Sequence, residues 1–567
     1  MCSILASIAT VGTSQANYVT VGEIITVEQG KTETVIPGDV TLEAYTPYAK
    51  DGEGTVQIST TGTMNAPLYV REGTVIVDNK AVLSLNPAKK DFAGGCTVLN
   101  IAGKNAEMIV DQAEVKGLPE YSICVGGPDG NGSLVLKNGA KMTSQVSMFV
   151  GYSGYLNAEA DSIGFINGHA TTQGVGQETT LENRYAGAYT AAANGHDTMF
   201  GYGSVVLEGG STLNTGYTGF FMGEGSLRIT ENSSMTTGLY GWSQSMLGRQ
   251  DHSTSEVEIS GGSSWTINGS SLQVCAGDHS RVDMDITGEG SSLSAATIYF
   301  ADNTGKTGKA TLDVTNGATV HATKTIIGDA SAHADVKIYI DAKSSYVASE
   351  ISVNKGGLIR NEGAIKMTEG ATNTLLNITA DGVVENSGIL ELDITVEGGT
   401  YIGTSGEFSG SVFTMLDGAV VEGLTMTTGT VNISGEVSLT NVTFGTEAVA
   451  LNSLMTLSGE SDALTLNISD GAIINADELV INDSATINMV LSSDNTDNTG
   501  SITITGTDEA KVAALKEQLG AMNVVDSTGS AVGGGSVSIT TAVVPEPTTT
   551  TLSLLALAGL AMRRRRK

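Results

Sequence analysis

Proline, charged residues and aromatic residues are all scarce in this chain. Of its 567 residues only 8 are proline, 16% are charged and 5% are aromatic. Average globular proteins carry about 25% charged residues, and disordered chains carry still more charge and proline. Glycine is abundant instead, at 72 residues, which is close to twice its average usage. This balance favours many short strands joined by tight turns over helices or disorder.

Cysteine and histidine are also few, and their spacing does not suit a metal site. The four cysteines are Cys2, Cys96, Cys124 and Cys275, with no C-x-x-C pair among them. Zinc sites need cysteines or histidines paired at short spacing, and none of the 6 histidines forms an i, i+4 pair. The sequence therefore predicts no metal ion and no cofactor.

Positive charge is the scarcest kind of charge. The chain has 29 Lys and Arg against 61 Asp and Glu, which gives a net charge of -32. Five of those cations are the last five residues, so the body has 24 against 61, or -37. Such a body repels nucleic acid and anionic membranes. We therefore expect no nucleic-acid partner, and the charge suits a protein that stays soluble outside the cell.

The N-terminus has part of a signal peptide. Ile4 to Val11 is mildly apolar, and Ser14-Gln15-Ala16 has small residues where a signal peptidase cleaves. The positive segment that should precede them is missing, because the first basic residue is Lys31. We expect residues 1–16 to be a truncated signal peptide that is cleaved after Ala16. An ordinary first strand is the alternative.

A short sequence motif, a strand followed by a turn, recurs along the body. Val206–Leu213 reads VLEGGSTL, and Leu312–Val320 reads LDVTNGATV. Alternating apolar and polar residues indicate a strand with one buried face, and the following Gly or Asn indicates a turn. The apolar residue before the turn recurs at spacings of 22, 30, 27, 28 and 26 residues, at Leu207, Ile229, Ile259, Ile286, Val314 and Ile340. Looser copies centre on Leu136, Ile378 and Ile468.

A repeat of 20 to 50 residues indicates stacked units, because one unit cannot bury its own apolar face and a stack can. We predict an all-β fold, a right-handed parallel β-helix, over residues 17–505. The repeated motif and its Gly/Asn turns resemble the passenger regions of autotransporters, which are right-handed parallel β-helices. Tandem β-sandwich domains are the alternative, since strands every 8 to 12 residues would also fit them. Irregular repeat lengths and few aromatic residues favour the β-helix.

Residues 506–543 are predicted to close the last coil as a small cap. Asp508 to Leu519 is the strongest helix pattern, with Val512, Leu515 and Leu519 on one face and Gly520 as its stop. A strand is predicted from Ser536 to Val544. The end of a stacked fold needs such a cap, because an open edge invites pairing with other chains.

The spacing of two cysteines matches the repeat. Cys96 and Cys124 are 28 residues apart, so we expect them in neighbouring coils. An exported compartment permits oxidation, which makes the pair a candidate disulfide.

Aromatic residues concentrate in one segment of the body. Residues 146–245 hold 13 of the 28 aromatic residues. Rings on a flat solenoid surface could stack on sugars, and the candidates for such a glycan site are Tyr217, Phe220, Phe221, Tyr240 and Trp242. The competing interpretation is that the rings stack inside consecutive coils, where they stabilise the fold.

An enzyme is the main functional alternative, because pectin-cleaving enzymes share the parallel β-helix. Asn495-Thr496-Asp497 is similar to one short piece of the polygalacturonase pattern. Glycoside hydrolysis needs a paired acid and base, and the body has no adjacent Asp pair, no Gly-His-Gly and no Arg-x-Lys to accompany that piece. We therefore predict that the protein has no catalytic residues.

The most specific motif lies in residues 544–567. Pro545-Glu546-Pro547 is followed by an 11-residue apolar run, Leu552 to Met562, and then by Arg563, Arg564, Arg565, Arg566 and Lys567. An 11-residue helix is about 16 Å long, against a bilayer core of roughly 30 Å. The five cations stay on the cytoplasmic side and act as a membrane stop.

This order closely resembles the PEP-CTERM sorting signal. The resemblance implies recognition by an exosortase, a membrane peptidase, after transient anchoring in the inner membrane, with the body then exposed at the cell surface or released. The sequence therefore indicates an exported structural or adhesive protein, with extracellular polysaccharide as its possible partner. A carbohydrate-active enzyme or a glycan-binding protein of the β-helix type is the alternative.

Overall fold

A computed structural model describes most of the chain. The described residues are 23–42, 48–86, 96–117, 121–126, 131–144, 147–151, 165–166, 169–170, 202–216, 219–238, 244–249, 252–301, 307–328, 334–372, 374–379, 381–404, 406–444, 464–469, 472–476, 479–481, 486–491, 499–506, 509–520, 522–525, 530–532 and 536–543. They fall into two compact units, residues 1–351 with 355–371 and residues 352–354 with 372–567.

The first unit is a parallel β-helix with three faces. The first face contains Glu23–Thr26, Tyr48–Asp51, Tyr121–Val125, Ser147–Val150, Gly219–Met222 and Ser245–Leu247. The second face contains Thr32–Thr34, Thr55–Ile58, Gly132–Lys137, Gly203–Leu207, Gly225–Ile229, Thr254–Ile259, Ser280–Thr287, Gly308–Thr315, Asp335–Ile340 and Gly357–Asn361. The third face contains Gly62–Met64, Val82–Leu85, Glu114–Gly117, Lys141–Ser144, Thr212–Thr215, Ser234–Thr237 and Ala364–Met367.

Six longer strands of this unit bend at a corner and belong to two faces each. Leu68–Val77 and Cys96–Asp111 run from the first face into the second. Ser264–Val274, Ser292–Phe300, Thr319–Ile327 and Ser345–Val353 run from the third face into the first. A short 3-10 helix, Pro37–Asp39, and an antiparallel pair, Phe165–Ile166 with His169–Ala170, complete the unit.

The register confirms the sequence repeat residue by residue. Leu136 aligns with Leu207, which aligns with Ile229, and the column continues through Ile259, Ile286, Val314 and Ile340. All seven side chains are 0% exposed. Each such aliphatic side chain contributes about 1.5–3 kcal/mol through burial. The stack therefore buries what one coil alone could not.

At six corners a residue with a left-handed backbone conformation turns the chain from the first face to the second. Glycine takes this position at Gly126, Gly151, Gly248 and Gly328, whereas Cys275 and Ala301 take it with φ of 59° and 52°. At four of these corners the amide donates to the coil before it, for example Gly151 N to Val125 O at 2.8 Å and Ala301 N to Val274 O at 2.9 Å, whereas Gly248 N donates to Ser255 Oγ at 3.0 Å. Glycine is common here because an added Cβ costs roughly 1–2 kcal/mol in this conformation.

The second unit is also a parallel β-helix. One face contains Leu375–Thr379, Asp393–Glu397, Val412–Met415, Thr430–Ile433, Thr465–Ser469, Thr486–Val490 and Asn523–Val525. Another contains Val383–Asn386, Thr400–Gly403, Ala419–Glu422, Glu436–Thr440, Ala472–Ala476, Thr499–Gly506 and Ser536–Val543. The remaining strands are Ile389–Leu390, Glu407–Phe408, Thr425–Met426, Val442–Phe444 and Leu479–Ile481. The looser sequence copies at Ile378 and Ile468 lie in one column of this unit, through Val396, Met415 and Ile433.

An asparagine ladder follows the outer surface of this unit. Asn467 Nδ2 donates to Asn432 Oδ1 at 3.0 Å, and Asn488 Nδ2 donates to Asn467 Oδ1 at 3.0 Å. Asn523 Nδ2 donates to Asn488 Oδ1 at 3.4 Å. Because identical side chains stand at one register position, each amide satisfies the next, as in the ladders of cross-β assemblies.

The predicted cap elements are present at the end of the second unit. The helix α1 spans Glu509–Leu519 and buries Val512, Leu515 and Leu519. Gly520 N donates to Lys516 O at 3.0 Å where the helix ends. The strand Ser536–Val543 pairs in parallel with Thr499–Gly506. The helix, its buried face and the strand therefore agree with the sequence prediction.

The tandem β-sandwich alternative is wrong. Sandwich sheets are built from antiparallel hairpins, whereas the registered strand pairs of the described residues are parallel apart from the Phe165–Ile166 pair. The chain is nearly all β, with long parallel pairing, as the β-helix prediction required.

Cys96 and Cys124 lie in neighbouring coils, as predicted, but their positions along the strands do not allow the candidate disulfide. The strands that contain Cys96 and Cys124 pair in parallel, so the two residues lie in neighbouring coils. Cys124 aligns with Asn100, four residues beyond Cys96, while Cys96 aligns with Tyr121. Four strand positions span about 13 Å, well beyond the roughly 7 Å that a disulfide can bridge. The repeat gave the right coil but the wrong place along the strand.

Candidate functional site

The predicted aromatic glycan site is wrong for the two phenylalanines that the structure describes. Phe220 is 0% exposed, and its ring packs edge-on against Trp265 with centroids 5.6 Å apart. Phe221 is 7% exposed and stacks on Phe149 at 5.4 Å. Both rings are buried, so neither can offer its face to a sugar, and Phe220 packs inside the coil as the competing interpretation expected.

Phe221 belongs to a small apolar cluster on the side of the first face that points away from the coil interior. Cys124, Phe149, Phe221 and Met246 occupy one register column and are 2% to 9% exposed. The Arg249 guanidinium lies 5.7 Å from the Phe221 ring centroid. Alternation along a strand normally places such positions in water, so the sequence pattern could not distinguish this buried column from an exposed one.

The other predicted site residues lie outside the described residues. They are Ala16, Tyr217, Tyr240, Trp242, Pro545, Glu546, Pro547, Arg563, Arg564, Arg565, Arg566 and Lys567. These assignments stay predictions from the sequence.

A polar groove of about 590 Å³ opens on the second face of the first unit. Three amide side chains, three hydroxyl side chains and two carboxylates line it, together with one aromatic ring and small residues. The lining residues are Gln29, Glu53, Gly73, Thr74, Asn105, Ala106, Glu107, Asn131, Gly132, Ser133, Tyr202 and Ser204. We call this the Tyr202 groove.

Strand register brings these distant residues together. Thr74, Glu107, Ser133 and Ser204 occupy one outward column on four consecutive coils. Neighbouring rungs lie about 4.8 Å apart. Every such rung offers a hydroxyl or carboxylate oxygen, so the column presents polar atoms in a row that runs across the coils.

The corner beside that column holds Tyr202 in place. Asn131 Oδ1 accepts from Tyr202 N at 2.9 Å, and Tyr202 O accepts from Gly132 N at 3.0 Å. A Cβ on Gly132 would overlap Ile101 O, so only glycine fits where the two coils meet. The Tyr202 side chain itself is 38% exposed. The ring therefore stands on a fixed backbone while its surface meets water.

A buried lysine stabilises the corresponding corner of two earlier coils from inside. Lys50 is 0% exposed, and its Nζ donates to Glu72 O at 2.6 Å and to Gly52 O. Burial lowers the pKa of this ammonium, while the carboxylates of Glu72 and Asp51 act in the opposite direction. Its donors satisfy turn carbonyls that would otherwise be buried without partners, which is a structural role.

One carboxylate of the groove is neutralised by a neighbouring cation. Lys104 Nζ lies 2.7 Å from Glu53 Oε1 and 3.4 Å from Glu72 Oε1. The hydrogen bond from Lys104 and its charge lower the pKa of Glu53, and the same contact raises the pKa of Lys104. A glycosidase acid needs a raised pKa so that it keeps its proton. Glu53 is held ionised instead, and it suits hydrogen-bond acceptance better than proton donation.

Carboxylates with raised pKa values lie farther along the second face. Glu258, Asp285 and Asp313 align in one column, and Asp283 aligns beside them. Burial raises the pKa of Asp313, with Asp283 adding to it, and burial with Asp313 and Glu258 raises the pKa of Asp285. Arg228 and Arg281 pair with Glu258 and Asp283 at 2.9 and 2.7 Å. This column is a strip of stacked like charges on a flat surface.

Two negative findings apply to the described residues. No group of three or more His, Cys, Asp or Glu side chains there lies close enough together to hold a metal ion. No helix in the same part of the chain is both long and apolar enough to cross a membrane.

Comparison with known proteins identifies the C-terminal motif. Residues 543–567 match the PEP-CTERM protein-sorting motif. This match indicates an exported protein that is sorted to the cell surface through an exosortase, a membrane protein. Comparisons with curated proteins and with solved structures found no match. The resemblance of the body to autotransporter passengers has no family match behind it and stays a prediction.

Proposed function

We propose that this protein is a structural or adhesive component of the cell surface or extracellular matrix. The observation that carries the proposal is the PEP-CTERM motif at residues 543–567 on a chain whose body is a parallel β-helix. Each β-helical unit gives a flat surface of stacked strands, and the motif provides delivery to the cell surface. Extracellular polysaccharide is the proposed partner of that surface.

Sorting is proposed to pass through the inner membrane. The apolar run Leu552 to Met562 holds the chain briefly, with the cations from Arg563 to Lys567 on the cytoplasmic side. A run this short anchors a 58.1 kDa protein weakly. We therefore expect the mature protein to lack Leu552 to Lys567.

Replacement of Pro545-Glu546-Pro547 by three alanines tests this proposal. The variant should stay in the inner membrane with its tail uncleaved, because the peptidase loses its recognition segment. Intact-mass analysis of membrane, surface and medium fractions measures the outcome. Replacement of Thr548, Thr549 and Thr550 by alanine is the matched control and should leave sorting unchanged. Arrival of the Pro545-Glu546-Pro547 variant at the surface with the mass of the mature protein would refute exosortase sorting.

We further propose that the body acts by binding rather than by catalysis. The support is the Tyr202 groove, where Lys104 holds Glu53 in its ionised form. Incubation of the full-length protein with neutral and acidic polysaccharides should release no new reducing ends. Release that is abolished by Glu107→Gln would instead establish a glycosidase.

A further inference from the structure

The Tyr202 groove has the size and the lining of a site for a hydrogen-bonding ligand. Its volume of about 590 Å³ falls within the roughly 300–1,000 Å³ of small-molecule sites. Most such sites are largely apolar, whereas this one is lined mainly by amide, hydroxyl and carboxylate side chains. A ligand that fits must therefore carry many hydroxyl or amide groups of its own and little continuous apolar surface.

The direction of the groove favours an extended ligand. The polar column Thr74, Glu107, Ser133 and Ser204 covers three rung spacings, or about 14 Å. A polymer that lies across the coils would meet one polar side chain at every rung. A single small molecule would use only part of that row.

The aromatic ring adds a second kind of contact. Tyr202 lines the same groove with its side chain partly exposed, and its backbone is held on both sides by Asn131 and Gly132. A tyrosine ring offers a flat apolar face with a polar tip. Its backbone position is fixed before binding, so little backbone entropy is lost when a ligand stacks on the ring.

The charge of the groove selects against acidic ligands and gives basic ligands little to bind. Glu53 and Glu107 line it, and no cation is among the described lining residues. Uronate polymers would be repelled, since the whole chain also carries -32. The charge of Glu53 is already matched by Lys104, which leaves Glu107 alone to attract a basic peptide.

We propose that the Tyr202 groove binds a neutral polysaccharide, with the sugar chain lying across the coils. Tyr202 stacks on one sugar ring, and Glu107, Asn105, Asn131 and Ser133 exchange hydrogen bonds with its hydroxyl groups. The inference rests on the proposed adhesive function for its setting and adds the ligand class and the binding residues. Its test uses purified protein, so a failure of sorting and a failure of binding are separate results.

The test is calorimetric titration of the full-length protein with neutral hexasaccharides of glucose, mannose and N-acetylglucosamine, and with hexagalacturonate as the acidic comparison. At least one neutral hexasaccharide should bind and hexagalacturonate should not. Tyr202→Ala should weaken binding about tenfold, which is the upper range for an aromatic contact. Tyr202→Phe keeps the ring and should bind within about threefold of the unmodified protein.

Tyr339→Ala is the matched control, because Tyr339 stands on the second face of the same unit and lies outside the groove. It should leave the affinity unchanged, and the thermal midpoint of each variant reports on folding. The proposal is overturned if no neutral hexasaccharide binds at millimolar concentration, or if folded Tyr202→Ala binds as well as the unmodified protein. Tighter binding of an oligolysine peptide, lost in high salt and in Glu107→Gln, would assign the groove to a basic partner instead.

Discussion

At the scale of single residues, two aspartates of the first unit show how position decides the sign of a pH effect. Asp313 lies in the column of stacked carboxylates, where burial and Asp283 raise its pKa. Burial also acts to raise the pKa of Asp341. Hydrogen bonds from Asn316 N, Ser344 Oγ and Lys343 N to its carboxylate outweigh burial, so the pKa of Asp341 is lowered. The ionised carboxylate is therefore destabilised at Asp313 and stabilised at Asp341.

We predict that Asp313→Asn raises the thermal midpoint at pH 7, whereas Asp341→Asn lowers it. The folded pKa of Asp313 lies above the unfolded value of about 3.9, so the destabilisation by its charge is relieved as the pH falls through the folded pKa. The folded pKa of Asp341 lies below that value, so its stabilisation is present above pH 4 or so and is lost as the pH falls through the folded pKa. Thermal scans from pH 7 to pH 3 measure both.

The two variants serve as controls for one another, since both remove one carboxylate from one unit. The differences from the unmodified protein should shrink in acid for each. Equal shifts of the same sign at pH 7 would mean that net charge alone, and not the local surroundings, sets the effect.

At the scale of elements, the asparagine ladder of the second unit contributes through its connections. Asn467, one of two inner rungs, donates to Asn432 and accepts from Asn488, while the last rung, Asn523, only donates within the ladder. We predict that Asn467→Ala lowers the free energy of unfolding by about 2 kcal/mol, and Asn523→Ala by about half as much, because a typical hydrogen bond contributes about 1 kcal/mol. Denaturant titration followed by circular dichroism measures the two losses.

Ser438 provides a control on the same unit, since it lies on Glu436–Thr440, a strand of another face. Its replacement by alanine should cost less than Asn467→Ala. Equal losses at Asn467 and Asn523 would show that the ladder has no cumulative effect.

The coils could be predicted from the sequence because the repeat constrains every strand in the same way. The column from Leu207 to Ile340 follows from alternation, turn residues and spacing, and the structure aligns it without a shift. The cap helix followed from its apolar face and its glycine stop. Register along a strand was harder, as Cys96 and Cys124 show. The coil is 25 residues long at Cys96, which aligns with Tyr121, and a register shift between Ser122 and Ile123 adds one more position.

The Tyr202 groove could not be found by sequence reasoning of this kind. Its lining runs from Gln29 to Ser204, and no spacing rule connects those residues until the register of six coils is known. The sequence pattern of the aromatic segment, residues 146–245, wrongly predicted exposed rings for a related reason. Phe220 alternates as a core residue should, but Phe221 points away from the coil interior and is buried all the same.

At the scale of the whole molecule, processing changes the charge in a measurable way. Loss of Leu552 to Lys567 removes five cations and no carboxylate, so the net charge goes from -32 to -37. We predict that the mature protein elutes later than the precursor from an anion exchanger at pH 7 and has an isoelectric point below the precursor value of about 4.4. Both species should appear together in cells with limited exosortase. Co-elution of two species that differ by the tail mass would contradict this prediction.

The one-to-one alignment of the coils also has an evolutionary consequence. Ile259 aligns with Ile286, and Ile286 aligns with Val314. An in-frame loss of residues 260–286 would join Ile259 to Thr287, and the strand Thr254–Ile259 would then meet Gly308–Thr315 in the register that Ser280–Thr287 has now. Genes for such a body can therefore lengthen or shorten by whole coils through recombination between repeats, with each product already matched to its neighbours. Selection can tune the reach of the protein in steps of one coil without redesigning its core.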